Sequence, residues 1–460
     1  MLDYLIGYKH LFLFYVQCND FFLVLKFAKT IHIRDFNYLR SENHNKAMRF
    51  LYSIGIRFYH LMAFLLSPFN KKAKQFYQGR LNWRSNLGLA LKNNNKKVVW
   101  FHVSSLGEFE QGRPIIEELK SRYNDLFILL TFFSPSGYEI RKNYEQADYI
   151  CYLPADTKKN ACDFIQTVQP NYTIFVKYDF WYHFIKQSSL SGSKLMLVSG
   201  LFRENQVFFK WWASWYRSIL HCFDHLFLQD EKSALLANKI KLRQYSVAGD
   251  SRMDRVIQIA SSSQEIDLIK QFSENNFTII GGSTWPPDED LLSQFLNKSQ
   301  RQIKLILAPH HIGENHIKQI ENQFKGLTLR YSEANENNIQ DKTVLIIDCI
   351  GLLSTIYRYG QIAYIGGGFG VSIHNTLEPS VYGIPVIFGP KYKKFKEAVD
   401  LIERKGGFSV FDYNDLETLL INFLDDKTFL NHAGTSAGNY IKEMSGATKK
   451  IMAYFSQLNK

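Results

Sequence analysis

Between Met48 and Lys97 the chain has no aspartate or glutamate, while ten lysines and arginines fall in the same stretch. Residues 1–97 hold sixteen basic against four acidic residues, a surplus equal to the +12 of the whole chain, so the remainder is neutral. Charge confined to one end points to a particular anionic surface rather than to general solubility. The expected partner is an anionic membrane surface, not nucleic acid. Cysteine is scarce, five residues with no C-x-x-C spacing, which argues against a disulfide framework or a thiolate metal site and for a reducing cytoplasm. The thirteen histidines form no H-E-x-x-H set, so no metal is expected. A signal peptide with a small-residue cleavage site is missing, as are tandem repeats and low-complexity tracts. Apolar content of 46% with 21% charge excludes disorder.

Long apolar runs are also lacking. Leu2–Ile33 is rich in Phe, Leu and Tyr, but Lys9, His10, Asn19 and Asp20 interrupt it before a span accumulates. Phe50–Phe69 carries Arg57 and His60, costly at a bilayer centre but acceptable on an interfacial helix. The preferred reading is a membrane-associated helix over 48–70 lying in or dipping into the cytoplasmic leaflet, with Lys71, Lys72 and Lys74 on headgroups. The alternative is an amphipathic helix docked on the protein itself. Met48 can also be the true start, which would leave residues 1–47 an extension without a role.

From Lys97 onward short apolar strands alternate with amphipathic helices. Strands are expected at 98–103, 126–132, 149–153, 172–176, 194–198, 226–229 and 245–248, then at 278–281, 304–307, 328–331, 344–347, 362–365 and 385–388. Continuous runs such as LFILL, LILA and VLIID suit strands covered on both faces, as in parallel sheets. Helices such as Gln111–Arg122 and Asp288–Leu296 carry one apolar stripe each. The polar stretch Arg255–Asn276 is a candidate hinge. The expectation is α/β, two Rossmann-like doubly wound domains facing across a cleft, at 71–265 and 275–460, with the last helix returning to the first domain. Ligands then bind in the loops just after strands.

The first such loop holds Ser105, Gly107 and Glu108. Glu108, at a helix start, can accept a proton from an attacking hydroxyl or merely complement the helix dipole; in either case the dipole predicts an ionised carboxylate. In the second, Ser136 at a helix N-terminus with Arg141 nearby suits a phosphate, or simple capping. The third, Lys177-Tyr178-Asp179-Phe180-Trp181, joins charge to aromatic planes that suit sugar faces or a core. In the C-terminal half Ser283 and Thr284 end one strand and His310 and His311 the next. Gly366-Gly367-Gly368 then leads through His374 to a helix expected near Asn375, with Glu378 in its first turn. Small residues let backbone N–H groups reach a phosphate, and a carboxylate can hold ribose hydroxyls. The combination favours a nucleotide site, although tight turns use the same glycines.

Taken in order, WFHVSSLGEFEQGRPIIEELK, TFFSPSGYEI, YLPADTKKNACDFI, FLQDEKSA, GDSRMDRV, GGSTW and HNTLEPSVYGIPVIFGP resemble the 3-deoxy-D-manno-octulosonic acid (Kdo) transferases, from about Arg49 to the C-terminus. The resemblance implies a GT-B fold and an inverting, metal-independent glycosyltransferase without a cofactor. Its donor would be CMP-Kdo and its acceptor a lipid A precursor (lipid IVA), at the cytoplasmic face of the bacterial inner membrane, in lipopolysaccharide biosynthesis. It makes Glu108 the catalytic base; Ser105, Gly107, Ser136, Arg141, Lys177 and Asp179 are the expected acceptor-side residues, with the role of Lys177 left open. Arg252, Ser283, Thr284, His310, His311, Gly367, Gly368, His374, Asn375 and Glu378 fall to the donor. The chain departs from the family where E-T-E-x-W reads Lys177-Tyr178-Asp179-Phe180-Trp181, where P-R-H reads Pro309-His310-His311, where N-A-R-L-S reads Ser199-Gly200-Leu201-Phe202-Arg203, and where G-G-H-N reads Ser372-Ile373-His374-Asn375. Two other readings stay open: a GT-B transferase or epimerase using another nucleotide sugar, and a non-catalytic membrane-bound sugar or nucleotide binding protein.

Overall fold

The computed structural model describes residues 42–210, 213–324 and 328–459, with the side chains of 42–44 left aside. The Leu2–Ile33 stretch, Cys18 and most of the 1–47 segment lie outside the described residues. Two units emerge: one runs through Ser251 and resumes at Gly446, the other spans Arg252–Ser445. The division thus falls ahead of the expected hinge, and Arg255–Asn276 is no linker. Helices Ser251–Ser262 and Asp267–Ser273 occupy most of it. Met253, Val256, Ile269 and Phe272 are buried there; their helical spacing is masked by the serines and glutamines between them.

The first unit holds seven parallel strands: β1 (Lys97–Val103), β2 (Leu126–Phe132), β3 (Tyr149–Tyr152), β4 (Tyr172–Val176), β5 (Lys194–Gly200), β6 (His225–Leu228) and β7 (Tyr245–Val247), in the order β3-β2-β1-β4-β5-β6-β7. Alternate residues of β1 feed opposite faces. Trp100 joins Phe164, Phe175 and Phe184 on one side, while Val99 and Phe101 join Ile116, Ile174 and Phe455 on the other. That two-sided burial is why these strands read as unbroken apolar runs. The helix Ala447–Leu458 supplies Ile451, Met452 and Phe455 to the second face.

The second unit repeats the plan with β8 (Phe277–Thr284), β9 (Ile303–Pro309), β10 (Thr328–Arg330), β11 (Val344–Ile346), β12 (Ile362–Ile365), β13 (Val386–Phe388) and β14 (Gly407–Ser409), ordered β10-β11-β9-β8-β12-β13-β14 and parallel throughout. Strand β14 was not expected. It is a three-residue edge strand on β13 with no apolar run to announce it. Chain order reverses between β1 and β4, and again between β8 and β12. Doubly wound sheets open their binding crevices at such switch points, at the strand C-termini.

The N-terminal helix runs from Glu42 to Leu66, earlier at both ends than the expected 48–70. Asn70 caps the next helix, Lys71–Gln78, by accepting from the N–H groups of Lys72 and Ala73. One face of the longer helix docks on the first unit: Tyr52 and Ile56 are buried, Tyr52 donates its hydroxyl to Asp156, and Ser53 meets His183. The other face leaves Ile54, Phe58, Leu61 and Leu65 exposed, with Phe69 at 88% exposure beyond it. Among the described residues no helix is long and apolar enough to cross a membrane.

Candidate active site

The loops after β1 and β4 lie side by side at the first switch point. Ser105 is extended and the helix Leu106–Arg122 begins at the next residue, which makes Glu108 its third. One carboxylate oxygen of Glu108 accepts from the Ser105 N–H at 2.8 Å and from its hydroxyl at 2.9 Å. Glu108 is 7% exposed. Burial raises its pKa, opposed by the Lys177 charge and the Ser105 bonds. Desolvation makes Glu108 more basic than an exposed glutamate, which suits a general base. A Cβ on Gly107 would meet nothing nearer than the Ser105 hydroxyl at 4.0 Å, so the space beside that glycine is open.

Asp179 is a second buried carboxyl. The Ser104 hydroxyl donates to its Oδ1, and its Oδ2, 3.4 Å from His102 Nε2, has no hydrogen-bond partner. Burial, then the charge of Glu108, puts its pKa well above the aspartate range. His102 does not offset this. Its Nε2 accepts from Trp181 Nε1 at 2.8 Å and its Nδ1 lies 2.9 Å from Thr131 Oγ1, while burial lowers its pKa to about 3. The ring is neutral, with its proton assigned to Nδ1 by these contacts. Two buried carboxyls in one site cannot both ionise cheaply. Glu108, holding two Ser105 donors and the influence of Lys177, takes the charge, and Asp179 the proton.

Lys177 ends β4 at φ +63°, its N–H donating to Val198 O and its ammonium 5.0 Å from the Tyr178 ring centre. Trp181 packs on Phe133 at 4.5 Å and is tied to His102, so it serves the core rather than an open platform. Ser136 stands at the start of the helix Pro135–Arg141, its hydroxyl paired with that of Ser134. Gly137 sits so close to Leu106 N that a Cβ would lie 3.1 Å away, which brings this helix start against that of Glu108. Arg141 lies in the last turn of the Pro135–Arg141 helix and bonds to Glu110 at 2.8 Å over the Phe109 ring.

At the second switch point Ser283 closes β8 at φ +51°, and Thr284 donates to Glu289. Trp285, His310 and His374 stack in series, with ring centres 4.6 and 4.7 Å apart. Trp285 Nε1 donates to His374 Nε2 at 3.1 Å, and His311 stands edge-on to Trp285. Burial lowers His374 to about 4 and His310 to a lesser extent, so both rings are neutral at pH 7. The Gly367 N–H, expected to hold a phosphate, donates instead to Asp288 at 2.9 Å; Asp288 also takes Tyr364 and the Trp285 N–H. Gly368 is required for packing, since a Cβ would stand 2.6 Å from Gly389 backbone. The expected helix at Asn375 is only Leu377–Ser380. Asn375 accepts from Leu377 N–H and donates to Glu378, so local side-chain bonding replaces a longer helix. Arg252 is engaged by Glu397 at 2.9 Å. No group of three or more His, Cys, Asp or Glu that could hold a metal occurs among the described residues.

His102 and Asp288 escaped the sequence reading. Both are buried polar groups whose need for partners was the available signal: a histidine inside VVWFHV, and an acid two residues beyond a proline helix start.

A family model described as 3-deoxy-D-manno-octulosonic-acid transferase (kdotransferase) matches residues 81–255. Curated relatives extend that likeness across most of the chain. The 3-deoxy-D-manno-octulosonic acid transferase of Chlamydia trachomatis serovar A is 28% identical over 78% of this chain and 86% of its own length. That of Aquifex aeolicus is 28% identical over 73% and 88%. The chain is similar to Kdo transferases over most of its length. The UDP-GlcNAc 2-epimerase of Neisseria meningitidis, 14% identical, covers 78% of the chain and all of its own with a TM-score of 0.53; that likeness concerns the fold, a GT-B-like pair of parallel-sheet units. Glu108, Ser136, Lys177, Asp179 and Arg252 all fall within the 81–255 segment that matches the Kdo transferase model.

Proposed function

We propose that this protein transfers Kdo from CMP-Kdo to a lipid A precursor, lipid IVA, at the cytoplasmic face of the inner membrane, with inversion and without metal or cofactor. The observation that carries the reading is Glu108: a buried, basicity-raised carboxylate bonded to Ser105 at a helix start and a switch point, within the segment that matches the Kdo transferase family model. In the reaction the acceptor hydroxyl oxygen bonds to the anomeric carbon of Kdo as the bond from that carbon to the CMP phosphate oxygen breaks. The hydroxyl proton passes to Glu108 and the electron pair leaves on CMP. The second unit supplies the nucleotide-holding groups around Gly368, Asn375 and Glu378. A lipid acceptor accords with the exposed stripe Ile54, Phe58, Leu61 and Leu65 and with Lys71, Lys72 and Lys74 just beyond it, a pairing suited to an anionic leaflet.

The test is mass analysis of products after incubation with CMP-Kdo and the tetra-acylated precursor, using wild type and Glu108→Gln. Glutamine keeps an oxygen for the Ser105 donors but cannot take the proton, so a loss of about 10²- to 10⁴-fold in turnover is expected. Turnover by Glu108→Gln within threefold of wild type removes the base assignment, and a product made only from UDP-sugars removes the donor.

A further inference from the structure

The donor side of the site has a charge problem. Arg252 is engaged by Glu397, and His310 and His374 are stacked and neutral. Asp288 and Glu378, both acids, contact the glycine loop and the short helix after it. A phosphoryl group held there needs a cation. One reaches the loop from the next strand end. After β13 the chain reads Gly389-Pro390-Lys391-Tyr392-Lys393-Lys394, and Gly389 meets Gly368 backbone to backbone. Lys391 N–H donates to Gly368 O at 3.1 Å, and its ammonium donates to Gly370 O at 2.5 Å and Phe369 O at 3.2 Å. An ammonium has three N–H donors, so one remains. Carbonyls do not neutralise the charge, and no carboxylate among the described residues pairs with Lys391, Lys393 or Lys394.

We propose that Lys391, clasped to the carbonyls of the 366–370 loop, is the cation that binds the phosphoryl group of the nucleotide donor, with exposed Lys393 and Lys394 as an outer pair that draws the anion in. The proposal rests on the nucleotide-donor reading above. The bland alternative is that Lys391 only staples the loop, and the two differ in what they do to a ligand without a phosphate.

The experiment titrates CMP and cytidine calorimetrically into full-length wild type, Lys391→Met, Lys391→Arg and Lys393→Gln/Lys394→Gln. Loss of a charge-assisted bond predicts that Lys391→Met weakens CMP about tenfold or more and spares cytidine, and that Lys391→Arg keeps most of the CMP affinity. The surface double variant, which leaves the clasp intact, flattens the salt dependence of CMP binding and spares cytidine. CMP affinity unchanged in Lys391→Met overturns the proposal, as does an equal loss for both ligands, which marks a staple. Should Lys391→Met not fold, an unchanged salt dependence in the double variant together with full loss in Lys391→Arg overturns it equally. If wild type binds UMP and not CMP, the donor reading fails and Lys391 is judged on the UMP and uridine pair. If it binds neither, both fall.

Discussion

Replacing Asp179 by asparagine separates the two buried carboxyls of the first unit. Burial and the Glu108 charge hold the Asp179 pKa well above the ordinary aspartate value, so the folded protein carries a proton there that the unfolded chain releases above about pH 3.9. For a carboxyl whose folded pKa is raised, folding takes up that proton. The cost is nil below the unfolded value and grows by about 1.4 kcal/mol per pH unit until the folded value is reached. Asparagine needs no proton and keeps an oxygen for the Ser104 hydroxyl. Glu108 and Asp156, whose pKa values are also raised, remain in both proteins and largely cancel in the comparison. Wild type and Asp179→Asn are therefore expected to be similarly stable near pH 4, with the variant gaining about 1.4 kcal/mol for each unit of rising pH across the window. Urea unfolding followed by tryptophan fluorescence at half-unit steps from pH 4 to 7.5 reads the difference. A gap that stays flat with pH, or one that favours wild type increasingly as pH rises, would refute the assignment of the proton to Asp179.

Tyr52→Phe removes a hydroxyl that donates to Asp156, whose pKa is already pushed to about 6 by burial despite that bond. The expected loss is about 1.5–3 kcal/mol, with the Asp156 titration moving further up, read as a lower urea midpoint and, by carboxylate NMR, a higher pKa. Gly368→Ala places a Cβ against Gly389 backbone; overpacking of this kind costs about 1–3 kcal/mol, and a melting curve and CMP titration matching wild type would contradict the close approach. Neutralising Lys71, Lys72 and Lys74 to glutamine is expected to weaken binding to anionic vesicles by about 1 kcal/mol per residue, less at high salt. Co-sedimentation with neutral and anionic vesicles checks it, and unchanged anionic binding would end the headgroup idea.

Much of the fold was legible because parallel strands covered on both faces must be apolar throughout, as in LFILL and VLIID, and thirteen of the fourteen strands fall where strands were expected, most of them on such runs. Gly407-Phe408-Ser409 does not, since an edge strand of three residues needs little burial. The polar stretch from Arg255 misled because solvated residues between buried ones hide a helical stripe. Strand-end loops drew attention to Glu108, Lys177, Asp179, Thr284, His310 and Gly367 without indicating which already had partners. Glu110 takes Arg141 and Asp288 takes Gly367, and neither partner is a near neighbour in sequence.

Periodicity and strand-end chemistry, both local properties of the chain, were enough to establish two wound α/β halves, a basic apolar N-terminal region and a short roster of reactive side chains. Ionisation and pairing were decided only in three dimensions. Whether Glu108 or Asp179 holds the proton, why His102 is neutral, and which glycine-loop atoms are already engaged all depend on desolvation and on neighbours brought together by strand order. Those terms arise from tertiary packing, because a charge is costly or cheap according to what surrounds it and not according to its place in the chain.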